Sequence, residues 1–233
     1  MIEIIKGTTT PLSDMGIAAG TCWNAPTEDS AKNIRRAIDC IESGHGRVEE
    51  YPDVTVVISE YSARCIRELY THIIGTTRLQ ESTRYVDCEN FKFYEPGLEP
   101  SAKRVYEGIM SNIKDAYAEL IRLGVSKEDA ANVLPLGMHT KIVWKINVRA
   151  LEHFANMRLC ARAYKEIRAL ARELKKVLSE YSEEWKQLVD VIMVPNCQKY
   201  LYCTEKFCCG AAPKKSEVTK ALEHYRNNQD DGK

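Results

Sequence analysis

A single mixed α/β domain, with a central mixed sheet flanked by long helices, is the fold class this sequence predicts. Three observations carry it. Val54-Thr-Val-Val-Ile58 is short and β-branched, and a helical pattern from Ser62 to about Ile73 follows it. Thr140-Lys-Ile-Val-Trp-Lys-Ile146 is a second run rich in β-formers. Long stretches with helical spacing surround both, so strands and helices alternate along the chain.

The elements follow in order. Thr27-Glu-Asp-Ser30 opens a helix whose apolar positions Ile34, Ala37, Ile38 and Ile41 share a face, and Gly44 stops it. Gly75-Thr-Thr77 breaks the Ser62–Ile73 helix ahead of a polar segment at Gln80. Ser101 to Leu123 reads as one long helix ended by Gly124, and Ser126 with Asp129 resembles a capping box for a short helix that stops before Pro135. Val148 to about Leu188 is nearly all helix formers, enough for two or more helices. The expected division is one main domain over 1–196 and a Cys-rich, polar tail over 197–233, its last residues disordered.

Lys plus Arg equals Asp plus Glu at 33 each. This balance argues against a nucleic-acid polymer or an anionic membrane as partner and leaves room for a local basic pocket. No apolar run approaches the ~20 residues of a membrane span. The opening Met1–Lys6 lacks the regions of a signal peptide, so a cytoplasmic location is expected. Of nine cysteines, Cys22, Cys40, Cys65, Cys88 and Cys160 are scattered and read as small buried hydrophobes. Cys197, Cys203, Cys208 and Cys209 crowd together, but without a CxxC or a nearby histidine the favoured reading is a thiol-rich tail, with a metal site the weaker one.

Two polar segments carry the functional signal. Gln80-Glu-Ser-Thr-Arg-Tyr85 offers an amide, an acid, two hydroxyls and a guanidinium; if extended, it turns Gln80, Ser82 and Arg84 to one side, a set suited to phosphate. The other reading is an exposed polar strand or turn. Asn147, Leu151, Phe154 and Arg158 fall on one helix face, and a half-buried Arg there requires an anion or several acceptors. An internal salt bridge to a glutamate would also satisfy it. His45, His72 and His153 admit ordinary structural uses.

Taken together these residues resemble the flavin-dependent thymidylate synthase family, from about Ser43 to Ile167. Gly44-His45 with Glu50 resembles an early Gly-His and Glu-His block. Gln80-Glu-Ser82-Thr-Arg84-Tyr85 resembles the end of the family signature. Val133-Leu-Pro-Leu136, Trp144 and Asn147-Val-Arg149-Ala-Leu-Glu-His153-Phe with Arg158 resemble the C-terminal block. The resemblance implies a homotetramer with FAD bound between chains, converting dUMP to dTMP with carbon from methylenetetrahydrofolate and electrons from NADPH. It implies that Glu68, Thr71, Gln80, Glu81, Ser82, Thr83 and Arg84 hold dUMP, and that Arg158 is catalytic against the uracil edge. It further implies that Thr71, His72, Ile73, Arg78, Gln80, Asn147, Val148, Arg149 and His153 contact FAD, with His45 near the folate or nucleotide.

The chain departs from the family at several cations. Thr71-His72-Ile73 stands where Arg-His-Arg is usual, and Ala131-Asn132 where an Arg precedes Val133. Each charged hydrogen bond so lost costs about 1.5–3 kcal/mol, and Arg78 is the residue placed to return one charge. The altered set motivates two rivals: methylation of another uracil nucleotide such as UMP, and a non-catalytic nucleotide-binding homologue.

Overall fold

In the computed structural model, which describes residues 1–230, four strands form one sheet: β1 (Ile2–Gly7), β2 (Asp53–Ser62), β3 (Thr76–Gln80) and β4 (His139–Asn147), in the order β1-β2-β4-β3. β1 runs antiparallel to β2 and β3 antiparallel to β4. At the two ends of the central pair, Ala63 N–H donates to Met138 O (2.8 Å) and Val148 N–H to Pro52 O (3.1 Å), which makes β2 and β4 antiparallel as well. The mixed α/β class therefore holds, but the sheet is antiparallel throughout where a mixed one was expected. The β1–β2 and β3–β4 connections join neighbouring strands in the opposite sense, while the β2–β3 connection skips one position that β4 then fills, antiparallel to both.

The chain divides into two compact units. The first contains Met1–Thr8 and Asp53–Ile146. In it Val54, Val56 and Ile58 of β2 alternate inward, as do Thr140, Ile142, Trp144 and Ile146 of β4, while Lys141, Val143 and Lys145 stay exposed. The run of β-formers in β4 thus buries every second residue. Helix α3 (Ala63–Leu69) follows β2 without a loop, because the Ser62 hydroxyl caps it by accepting from Cys65 N–H (3.0 Å). Helix α4 (Pro100–Arg122) starts on a proline and ends before Gly124, whose φ of +84° suits glycine. It helps form a satellite core of Cys88, Phe91, Met110, Tyr117, Ala130 and Met138. The Ser126 hydroxyl caps the short α5 (Lys127–Ala130) by accepting from Asp129 N–H (3.1 Å).

The second unit contains Thr9–Pro52 and the chain from Asn147 onward. Two helices that open it, α1 (Pro11–Cys22) and α2 (Ser30–Glu42), cross so closely at Gly16 that an added Cβ would lie 2.0 Å from Asn33 O. The sequence reading found α2 but neither α1 nor β1. After Asn147 come α6 (Val148–Arg158), α7 (Lys165–Tyr181), α8 (Glu183–Ile192), the short α9 (Asn196–Lys199) and α10 (Lys215–Asp230). Leu151, Phe154, Leu170, Leu174, Leu178, Trp185 and Leu188 are fully buried in this unit. The expected polar, disordered end is helical through Asp230, and Asp231–Lys233 lie outside the described residues. None of the described helices is long and apolar enough to cross a membrane.

Candidate functional site

In the first unit, the nucleotide-binding candidates begin on edge strand β3. Gln80 pairs in register with Ile142 and donates from Nε2 to Thr140 Oγ1 (3.2 Å). Glu81 N–H donates to Lys141 O (2.8 Å), and there the ladder ends. Ser82 O accepts from both Tyr85 and Val86 N–H (3.1 Å each), so Ser82–Tyr85 is a turn. This corrects the extended reading, in which Gln80, Ser82 and Arg84 shared one side. The local reason is that the hydroxyl of Ser82 also accepts from Arg84 N–H (3.4 Å), offering the backbone a turn in place of sheet.

The turn leaves its donors outward. Arg84 pairs with Glu128 (3.0 Å) and lies over the Tyr85 ring, with both charged side chains mostly in solvent. A pair so exposed is worth about 0–1 kcal/mol, so it holds the Arg84 guanidinium only weakly. Ser82 and Thr83 are half-buried. On this chemistry the turn fits a phosphate.

Ahead of β3, the helix expected to reach Ile73 ends at Leu69. Thr71 Oγ1 donates to Glu68 O (2.7 Å), closing that end, and His72 is buried while Ile73 is exposed. Arg78 donates to His72 O (2.7 Å) and Thr76 Oγ1 (3.0 Å), and its guanidinium lies 4.5 Å from the Tyr70 ring centroid. Part of this cation's bonding capacity is thus used to hold the loop between α3 and β3.

In the second unit, Asn147 is the N-cap of α6: its Oδ1 accepts from Ala150 N–H (2.9 Å). It does not stand on the helix face with Leu151 and Phe154, as the spacing had suggested, because capping draws its side chain back to the helix start. Those two apolar residues and Val148 are fully buried, and Arg158 is half-buried in the last turn. Arg149 and His153 are exposed one turn apart and line a cleft of about 620 Å³. Arg149 pairs with Glu50 from the Gly44–Tyr51 block, while His45 is exposed. The cleft's other wall includes Cys197, Lys199, Cys203, Glu205 and Cys208, so the thiol-rich segment is part of this unit's architecture.

A buried carboxylate beside this cleft was not singled out from the sequence. Glu49 is 3% exposed and its Oε2 meets no hydrogen-bond partner. Burial, together with the Glu152 carboxylate beside it, pushes Glu49 up to about 7. Glu152 is held by Lys199 (2.6 Å). Nothing in Val48-Glu-Glu-Tyr51 distinguishes the buried acid from its exposed neighbour, since burial is a property of the fold. Among the scattered thiols, Cys40, Cys65 and Cys88 are buried as expected, whereas Cys22 is exposed and Cys160 half-buried. Among the described residues, no group of three or more His, Cys, Asp or Glu is arranged to hold a metal ion.

Comparison with known proteins places this geometry. The family model described as thymidylate synthase complementing protein matches residues 3–182. A flavin-dependent thymidylate synthase of Geobacter sulfurreducens is 35% identical over 189 residues, covering 76% of this chain and 81% of the relative. The chain belongs to the flavin-dependent thymidylate synthase family. A second flavin-dependent thymidylate synthase, from Nitratidesulfovibrio vulgaris, is 30% identical over 237 residues and covers 91% and 95% of the two chains. The solved structure of a UMP/dUMP methylase from Streptomyces cacaoi, bound with 5-Br dUMP, superposes with a TM-score of 0.68 at 17% identity, over 82% of this chain and 95% of that one. That likeness shows a shared fold. Membership in the flavin-dependent thymidylate synthase family makes the chain a flavin-dependent methyltransferase.

Proposed function

We propose that this chain methylates dUMP to dTMP, taking the carbon from methylenetetrahydrofolate and electrons from NADPH, as a cytoplasmic homotetramer with FAD and substrate sites shared between subunits. The observation that carries the substrate reading is the Ser82–Tyr85 turn, which ends an edge strand and presents Arg84 in an exposed, displaceable ion pair. Arg84 and Ser82 hold the nucleotide phosphate, a fork and a hydroxyl suited to its oxygens. Gln80, Glu81 and Thr83 position the rest of dUMP, with Glu68 and Thr71 contributing from the end of α3.

Arg149 and His153 are the exposed α6 side chains suited to FAD, which supplies hydride when bound. The Asn147 cap and buried Val148 fix the start of that helix and so orient both. The family resemblance gives Arg158 its role, and its permanent charge and half-buried position support it: it draws electron density toward the uracil edge and stabilises negative charge as it develops there.

The absorption spectrum of freshly purified protein tests this directly. A flavin band is expected, and its absence both on purification and after reconstitution overturns the reading. In turnover assays Arg158→Ala is expected to lower kcat by roughly 10²-fold or more, and Arg84→Ala to act mainly on the KM for dUMP. A KM unmoved by Arg84→Ala removes the phosphate role.

A second reading keeps the flavin chemistry and takes UMP. Thr71, Ile73 and Asn132 favour it, because they stand where the family carries cations around its nucleotide. Side-by-side turnover of dUMP and UMP decides between them, and a strong dUMP preference eliminates the second.

A further inference from the structure

The sulfurs of the C-terminal segment are arranged for chemistry that the methyltransferase reading does not use. Cys203 is 8% exposed and fixed by its backbone: its N–H donates to Pro213 O (2.7 Å) and its carbonyl accepts from Lys215 N–H (3.3 Å). The turn that follows brings Cys208 back towards it: the Cys208 sulfur lies against Ala212 O, next to the Pro213 that holds Cys203, and both cysteines line the same cleft. Cys208 is half-buried on the wall of the 620 Å³ cleft. Its sulfur accepts from Gly210 N–H (3.3 Å) and reaches Ala212 O at the same distance.

We propose that Cys203 and Cys208 are a redox-active dithiol that low-molecular-weight disulfides oxidise to an intramolecular disulfide. A metal site would need about four ligands in a closed shell, and among the described residues no group of even three suits an ion. Two thiols anchored on adjacent backbone positions of one cleft wall, one of them fixed and buried and the other half-buried, meet the needs of thiol–disulfide exchange instead.

The two cysteines divide the work. The Gly210 amide and then the Cys203 thiol hold Cys208 below the usual thiol range, favouring its thiolate. At Cys203 the Glu205 amide pulls the thiol down, but desolvation and the neighbouring Cys208 and Cys197 sulfurs outweigh it and push it up. Cys208 is therefore the attacking sulfur and Cys203 the resolving one. The Cys208 thiolate attacks one sulfur of the incoming disulfide, whose S–S bond breaks and releases a first thiolate. Cys203 then gives up its proton and attacks the Cys208 sulfur, breaking the mixed disulfide and releasing the second thiolate. The protein loses two electrons and two protons, and the small disulfide leaves as two thiols.

Oxidation would staple the turn that carries Glu205 and Phe207, both bound to Arg162, through an ion pair at 3.4 Å and a hydrogen bond to Phe207 O at 3.2 Å. To test the pair, the full chain is equilibrated in glutathione buffers of stepped reduced-to-oxidised ratio, quenched with a maleimide and analysed by intact mass and peptide mapping. The expected result is a species lacking two adducts, with one peptide linkage joining Cys203 to Cys208. Cys203→Ser and Cys208→Ser each remove it, and Cys209→Ser and Cys160→Ser leave it in place. Alkylation of both cysteines at every ratio, or a linkage mapped to any other pair, overturns the proposal. So does zinc retained by the purified chain that shields these thiols. The wild-type peptide map decides between these outcomes even where a serine variant fails to fold.

Discussion

Glu49 has the clearest pH signature of any single residue here. Its folded-state value, about 7, lies above its ordinary 4.5. The folded state therefore binds the proton more tightly, so this carboxyl costs nothing below pH 4.5 and destabilises increasingly as pH rises through about 7. Glu49→Gln is expected to be more stable than the parent above neutrality, by on the order of 2–3 kcal/mol, with the advantage vanishing in acid. Urea titrations across pH check this, and a pH-independent difference contradicts the assignment. Asn147 makes a different prediction. Because its Oδ1 caps α6, Asn147→Ala is expected to lose about 1 kcal/mol, while Asn147→Asp keeps the acceptor and the stability. At this scale the sequence displayed residue types well and their roles less well. Asn147 and Arg84 were visible, but that one is bound to its own helix and the other sits on a turn depends on backbone hydrogen bonds.

Among the elements, helices and central strands were legible because caps and periodicity are local. Ser62, Ser126, Gly44 and Gly124 all mark boundaries as their chemistry predicts. β1 and α1 were not legible. β1 is one short run of six residues, and α1 is rich in Gly and Ala, whose value lies in close approach to a partner. That approach makes Gly16→Ala strongly destabilising, since the added methyl overlaps the Asn33 backbone, whereas Gly108→Ala within α4 meets nothing within 4 Å. Gly108→Ala is expected to gain about 0.5–1 kcal/mol from helix propensity alone. Denaturant midpoints of the two variants should move in opposite directions.

For the whole molecule, chain continuity and structural unit do not coincide. The first unit takes its edge strand from Met1–Gly7 and the rest from Asp53 onward, with Ile2 opposite Ile58 and Gly7 opposite Val54. Deleting Met1–Gly7 would leave the β2 edge unpaired, so the expected outcome is a lower melting temperature and association by size-exclusion chromatography. The sequence alone determined the α/β class, most helix limits and the family, because periodicity, capping and ordered motif blocks are written in neighbouring residues. Only the tertiary structure decided the antiparallel sheet, the buried Glu49 beside Glu152 and the placing of Cys203 and Cys208 on one cleft wall. Each of these rests on which distant backbone or side chain comes near, and on whether water is excluded there, and local residue type encodes neither.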